Sequence, residues 1–100
     1  MRDVPTFDFI RDLAEAGLVP GGSKQNLEYA APHTRFGDDI AEVDRLILSD
    51  AQTSGGLLIA VPPDRESDLI EELERNDAPV GAVIGELVPG EFGSIEVASG

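Results

Sequence analysis

Three observations predict a small α+β domain. Apolar residues recur at helical spacing in the first half, short apolar runs bounded by glycine and proline occupy the second half, and the length suits one core. A chain of 100 residues can bury a single hydrophobic core but not two. Its apolar share of 41% is enough for that core and too high for a disordered segment. Residues 1–100 are therefore expected to form one domain.

The elements follow in order. Pro5 suits a first helical turn, and Phe7, Ile10, Leu13 and Ala14 repeat at helical spacing, with Gly17 placed as a C-terminal cap. Val19-Pro20-Gly21-Gly22 is expected to turn, and a short helical turn should cover Asn26 to Ala30 before Pro32 ends it. Residues 32–38 carry no periodicity and are expected to form an exposed loop. A second helix should begin at Asp39, capped by Asp38 or Asp39, with Ile40, Val43, Leu46 and Ile47 on one face, and end near Ser49. Asp50 to Gly56 should form a polar loop. Leu57 to Val61 is a continuous apolar run between Gly56 and Pro62, the pattern of a central strand buried on both faces. Asp64 should open a third helix, Arg65 to Arg75, with Leu69, Ile70 and Leu73 inward and Glu66, Glu71, Glu72 and Glu74 outward; Asn76-Asp77 stop it. Val80 to Val88 is expected to be a second strand, with Gly81 and Gly85 marking a bulge or close backbone contact. Ser94 to Ala98 alternates as a final strand with Ile95 and Val97 inward. Three strands make a thin sheet with an unpaired edge, which suggests incompleteness or oligomerisation.

Charge narrows the function classes. Twenty acidic residues against seven basic ones give a formal net charge of −13, and Lys24 is the one lysine. Such a surface repels a phosphate backbone, so nucleic acid is not an expected partner. No apolar run approaches the ~20 residues of a membrane span, and the N-terminus lacks the pattern of a secretory signal; neither a membrane nor secretion is expected, which leaves the cytoplasm. Without cysteine there is no disulfide, no cysteine–zinc site and no thiol nucleophile. His33 is the one histidine, which weakens multi-histidine metal sites and a Ser-His-Asp triad and suits an exposed loop residue.

Two segments hold more glycine and hydroxyl groups than simple turns require. In Pro20-Gly21-Gly22-Ser23-Lys24-Gln25-Asn26, the glycines free the backbone to approach a ligand, Ser23 can cap the next helix, and amides at a helix start can hold an anion. A capped loop between helices explains the same spacing. In Asp50-Ala51-Gln52-Thr53-Ser54-Gly55-Gly56, the helix-before, strand-after order rules out a Walker phosphate loop. Gln52, Thr53 and Ser54 offer side-chain donors at the entrance to the apolar run, and a structural turn is equally compatible.

These two segments, with Leu46 to Val61 following at the right distance and Val-Ile-Gly-Glu-Leu at 83–87, resemble the C-terminal domain of selenophosphate synthetase (selenide, water dikinase). The likeness runs from about residue 8 onward. The Gln-Thr-Ser-Gly-Gly run is the most specific part and argues against the related thiamine-monophosphate kinases and hydrogenase-maturation proteins. The resemblance implies membership of the aminoimidazole-ribonucleotide-synthetase superfamily. It also implies a layered α/β/α domain with a small mixed sheet, partly ferredoxin-like. The implied activity is ATP- and magnesium-dependent formation of selenophosphate from selenide by a homo-oligomer. The family's catalytic cysteine or selenocysteine, its lysine, its metal-binding aspartates and an Asp-x-Thr-Gly-x-Gly element all precede the matching region. No catalytic or metal-binding residue is therefore assigned in this chain, and neither ATP nor magnesium is expected to bind it tightly. The implied partner is the N-terminal ATP-binding domain of the same enzyme. Gly21, Gly22, Ser23, Asn26, Gln52, Thr53, Ser54, Gly55 and Gly56 are the residues expected to line the shared nucleotide or phosphate cleft, or to shape that interface alone. Two positions depart from the family pattern: Ala51 replaces a proline, and Gln25 replaces a basic residue, which weakens any anion contact there. The alternative reading is a free-standing interaction or regulatory module that kept the fold without the chemistry.

Overall fold

Helix α1 spans Ile10–Glu15, and its end shows why Gly17 stands where it does. Gly17 adopts φ +82°, its amide donates to the Ala14 carbonyl, and the Leu18 amide donates to the Leu13 carbonyl. That pair of bonds closes the last turn around a left-handed residue, a conformation glycine adopts without Cβ strain. The computed structural model describes every residue from Met1 to Gly100.

Helix α2 spans Gly21–Ala30, followed by a 3-10 turn over Ala31–His33 and strand β1 over Thr34–Phe36. Helix α3 covers Glu42–Leu48; a 3-10 turn at Pro63–Arg65 leads into helix α4, Glu66–Arg75; and strand β2 covers Ile95–Val97. Strands β1 and β2 pair in parallel, with Thr34 opposite Ile95, Arg35 opposite Glu96 and Phe36 opposite Val97. The Gly37 amide extends the ladder by donating to the Val97 carbonyl at 2.8 Å. The chain is thus α+β, with a two-stranded parallel sheet. No helix is long and apolar enough to cross a membrane.

Several expectations need correction. Gly21 and Gly22 lie in the first turn of α2 instead of a loop, because Pro20, with ψ 145°, makes the bend by itself and serves as N-cap. The segment expected to be a loop at 32–38 contains β1 and holds His33 exposed in its 3-10 turn. Helix α3 starts three residues later than Asp39 and is capped by Ala41 without a side-chain hydrogen bond, so neither Asp38 nor Asp39 caps it. Leu57–Val61 and Val80–Val88 form no strand. The first run is not buried: Leu57 is 89% and Leu58 84% exposed. A strand exists only where a second backbone supplies its ladder, and none of these residues does so. The final strand forms over Ile95–Val97, shorter than expected, with Val97 half-buried and Glu96 outward as expected but Ile95, on the same face as Val97, exposed. The sheet is therefore parallel and two-stranded, where a mixed three-stranded one was expected.

Helix α4 matches its pattern. Leu69, Ile70 and Leu73 are half-buried while Glu66, Glu71, Glu72 and Glu74 are exposed. It ends as α1 does, with Asp77 at φ 55°, its amide on Glu74 and the Ala78 amide on Leu73. Arg75 pairs with Glu71 at 3.2 Å and with Glu72 at 2.5 Å. The close contact expected of Gly81 is present, since a Cβ there would lie 3.3 Å from Leu73 Cδ1, whereas Gly85 has open space around it.

The core is small. Ile40 is the one fully buried apolar residue; the other two buried residues are Ser23 and Asp44. Asp44, on α3, receives the Arg11 guanidinium from α1, so an ion pair joins these helices beside the aliphatic side chains of Ile10, Ala14, Leu46 and Ile47. The surface totals 8231 Å², against about 5,500 Å² for a globular monomer of 10.6 kDa. The radius of gyration, 14.8 Å, likewise exceeds the roughly 13 Å of a 100-residue domain. With so little apolar burial, the isolated chain should bind a hydrophobic dye and melt over a broad range without a calorimetric peak. A sharp two-state transition with no dye binding would contradict that.

Candidate functional site

The two glycine-containing segments meet at Ser23. Its hydroxyl, fully buried, donates to Asp50 Oδ1 at 2.9 Å and accepts the Ala51 amide at 3.1 Å. One turn further along α2, Asn26 Nδ2 donates to the Ser49 carbonyl at 3.1 Å. Three hydrogen bonds therefore join the start of α2 to the residues leaving α3. Gly22 explains how the backbones come so close. A Cβ at that position would lie 3.2 Å from the Ala51 Cβ, tighter than most packed methyl groups, so a side chain there would require the loop to shift outward by a few tenths of an ångström.

Beyond Ala51 the loop leaves the body. The Gln52 amide donates to the Asp50 carbonyl at 3.1 Å. The Gln52 side chain folds over Gly55, where a Cβ would collide with its amide oxygen. Thr53 and Ser54 are exposed, as is Gly56, and Gly56 has no neighbour a Cβ would meet. Gly21 is also open, and Lys24 is exposed. The structure thus brings Gly22, Ser23 and Asn26 against residues 49–51. It leaves Gln52, Thr53, Ser54, Gly55 and Gly56 as an adjoining exposed loop.

Sequence reasoning placed Ser23 as a helix cap and missed its partner. Ser23 sits at the third position of α2, and Pro20 occupies the cap. Asp50 opens the second glycine-containing segment but is not among the residues the sequence assigns to the site. The available signal was its position directly after the helix-ending Ser49, where a carboxylate can return to a neighbouring hydroxyl.

The fit to a nucleotide and a metal ion can be judged from these groups. The amides of Gly21 and Gly22 make no backbone hydrogen bond and open the positive end of a ten-residue helix. Asp50, the carboxylate between the segments, is already held by Ser23, and no group of three or more acidic or histidine side chains is placed to hold a metal. A depression of about 490 Å³ lies elsewhere, lined by Leu27, Ala31, Thr34, Phe36, Glu42 and Arg45; Arg45 stacks on Phe36 there, 5.0 Å from the ring centre. The residues present make an edge of backbone amides and neutral donors, with Asp50 as its one carboxylate.

Removing the hydroxyl would leave the Asp50 carboxylate and the Ala51 amide without their partner, at a cost of about 1–3 kcal/mol. In Ser23→Ala the Ala51 amide should therefore exchange with solvent about tenfold faster or more. Gly22→Val should do the same by displacing the loop, while Gly21→Ala, at an open helical position, should leave that exchange unchanged. Equal effects of all three substitutions would contradict the geometry.

No protein-family model matches the chain, and no solved structure matches it. Its similarity to curated proteins is extensive. It is 37% identical over 97 residues to the selenide, water dikinase of Carboxydothermus hydrogenoformans, covering 97% of this chain and 28% of that protein. It is 37% identical over 88 residues to that of Aliarcobacter butzleri, 88% of this chain and 26% of the other. It is 38% identical over 93 residues to that of Myxococcus xanthus, 93% of this chain and 26% of the other. The chain spans roughly a quarter of the length of these relatives. The likeness carried by the two glycine-containing segments thus extends over nearly all of the chain, whose sequence is that of a selenide, water dikinase relative across about a quarter of such a protein.

Proposed function

We propose that residues 1–100 act as the C-terminal portion of a selenophosphate-synthetase-like enzyme, supplying one wall of its nucleotide or phosphate cleft. The observation that carries this reading is the joining of Gly22, Ser23 and Asn26 to residues 49–51. It makes a single edge from two segments that lie far apart in the chain. The Gly21 and Gly22 amides and the exposed donors of Gln52, Thr53 and Ser54 would face the cleft, with Gly55 and Gly56 letting the loop pass close by. These residues position; they do not react. The groups that would bind magnesium and activate selenide belong to the N-terminal ATP-binding domain, because phosphoryl transfer needs metal ions and charges clustered around the phosphates. The chain alone is inactive in this reading, and the complete enzyme works as a cytoplasmic homo-oligomer. Joined to its partner, the α+β body would be part of a layered α/β/α domain with a small, partly ferredoxin-like sheet. Two features support a role as one part of a larger enzyme: the large uncovered surface and the relatives' greater length.

Two measurements test this. Titrated with ATP and magnesium, the isolated chain should give no saturable heat below about 1 mM, the range of binding weaker than about −4 kcal/mol; micromolar binding would overturn the shared-cleft reading. A chimera of the Carboxydothermus hydrogenoformans relative, carrying residues 1–100 in place of its matching stretch, should keep selenide-dependent ATP consumption within about tenfold of the parent, a loss of about 1.4 kcal/mol or less in the barrier. An intact, folded chimera without turnover would contradict the assignment.

A further inference from the structure

We propose that the depression lined by α2, the 3-10 turn after it, β1 and α3 is a binding site for a small zwitterion with an aliphatic side chain, the chemistry of an α-amino acid. The site shares no residue with the glycine-containing edge and goes beyond the cleft reading above.

The first argument is an arginine without a carboxylate. Arg11, Arg35, Arg65 and Arg75 each pair with an acidic side chain, whereas Arg45 pairs with none, in a chain carrying 20 acidic residues. Its guanidinium is fixed all the same. Nε donates at 3.2 Å to the carbonyl of Ile40, the one fully buried apolar residue, and the group lies 5.0 Å over the Phe36 ring. Nη1 and Nη2 bond to no protein atom and present the fork that takes a carboxylate through two parallel bonds. Because stacking already holds that fork, little side-chain freedom is lost on binding.

The second argument is what accompanies it. Glu42 precedes Arg45 by one turn of α3, a spacing at which the two side chains can pair, yet they form no ion pair and both line the depression. The Thr34 hydroxyl donates to the Ala30 carbonyl at 2.9 Å, so it has only acceptor capacity left. Leu27 and Ala31 supply aliphatic surface. Donors for a carboxylate, acceptors for an ammonium and a place for an apolar side chain thus line one opening. Its volume, about 490 Å³, falls within the range of about 300–1,000 Å³ for small-molecule sites.

Charge selects this class over a simple anion. A net charge of −13 repels a free carboxylate or phosphate approaching the chain, and Glu42 repeats that repulsion at the depression itself. A zwitterion brings no net charge and gives Glu42 a partner.

Leucine titrated into the chain, with amide chemical shifts as the readout, tests the proposal. The amides of Thr34, Phe36 and Arg45 should shift saturably with a midpoint of about 1 mM or below, while that of Ala51 stays unchanged. Isocaproate, which lacks the ammonium, and isoamylamine, which lacks the carboxylate, should each bind about tenfold more weakly or worse. Glu42→Gln, at an exposed position, should weaken leucine about tenfold and bring isocaproate level with it. Arg45→Lys, which keeps the charge and loses the fork, should weaken both. Isocaproate binding the unmodified chain as well as leucine does would overturn the zwitterion. No saturable shift with leucine, or one left intact by both substitutions, would overturn the site. Where Arg45→Lys loosens the fold, read as faster exchange of the Ala51 amide, Glu42→Gln alone decides. The same titration in the chimera must give the same shifts; amides that respond in the isolated chain and not in the chimera would mean that other polypeptide covers the depression, and would overturn a small-molecule role. Turnover by the chimera is a separate readout, so the proposed function stands or falls independently of this result.

Discussion

The hydroxyl of Ser23 lies completely inside the molecule and bonds at once to the Asp50 carboxylate and the Ala51 amide. Everything near the candidate site depends on that arrangement. A buried hydroxyl left unpaired is costly, and one that accepts an amide and donates to a carboxylate has both functions met. Gly22 leaves room for the close approach, since a Cβ there would crowd the Ala51 Cβ at 3.2 Å. The start of α2 and the end of α3 are thus held in register by one small polar residue and one missing methyl group. The Asn26 amide then extends the seam by a further turn.

Polar contacts perform an unusual share of the organising work in this chain. Arg11 reaches Asp44 between α1 and α3, Arg45 bonds the Ile40 carbonyl and stacks on Phe36, and Ser23 joins α2 to α3. Beneath them one apolar side chain is fully buried. Small domains bury the least surface per residue and are correspondingly marginal. A chain with this little burial gains most of its stability from whatever covers it, since a partner that binds only the ordered form shifts the equilibrium toward that form. The net charge of −13 is spread over the rest of the chain, while segment 57–61 carries none of it.

The same division runs through the chemistry. The glycine-containing edge offers amides and neutral donors, groups that orient a phosphate without transferring it. Its one carboxylate is engaged by a hydroxyl. In the proposed function, an edge of this kind would contribute geometry to a cleft whose charge comes from the opposite side, in keeping with a chain that matches about a quarter of the length of selenide, water dikinases.

Local signals determined much of this protein without any structure. Gly17 and Asn76-Asp77 end helices because their left-handed caps depend on neighbours within one turn. The faces of α4 follow from its 3.6-residue period. The likeness of the two glycine segments to a known family was legible because residue identity in order carries it. What only the tertiary structure decided was every feature that needs a distant backbone. Ser23's partner lies 27 residues away, β1 arises in a stretch with no periodicity because Ile95–Val97 runs beside it, and Leu57–Val61 stays unpaired despite a strong strand pattern. A helix satisfies its hydrogen bonds from within, so its sequence suffices to announce it. A strand borrows them from another segment, and in this chain the borrowing succeeded for three residues of β1 and failed where the apolar pattern was clearest.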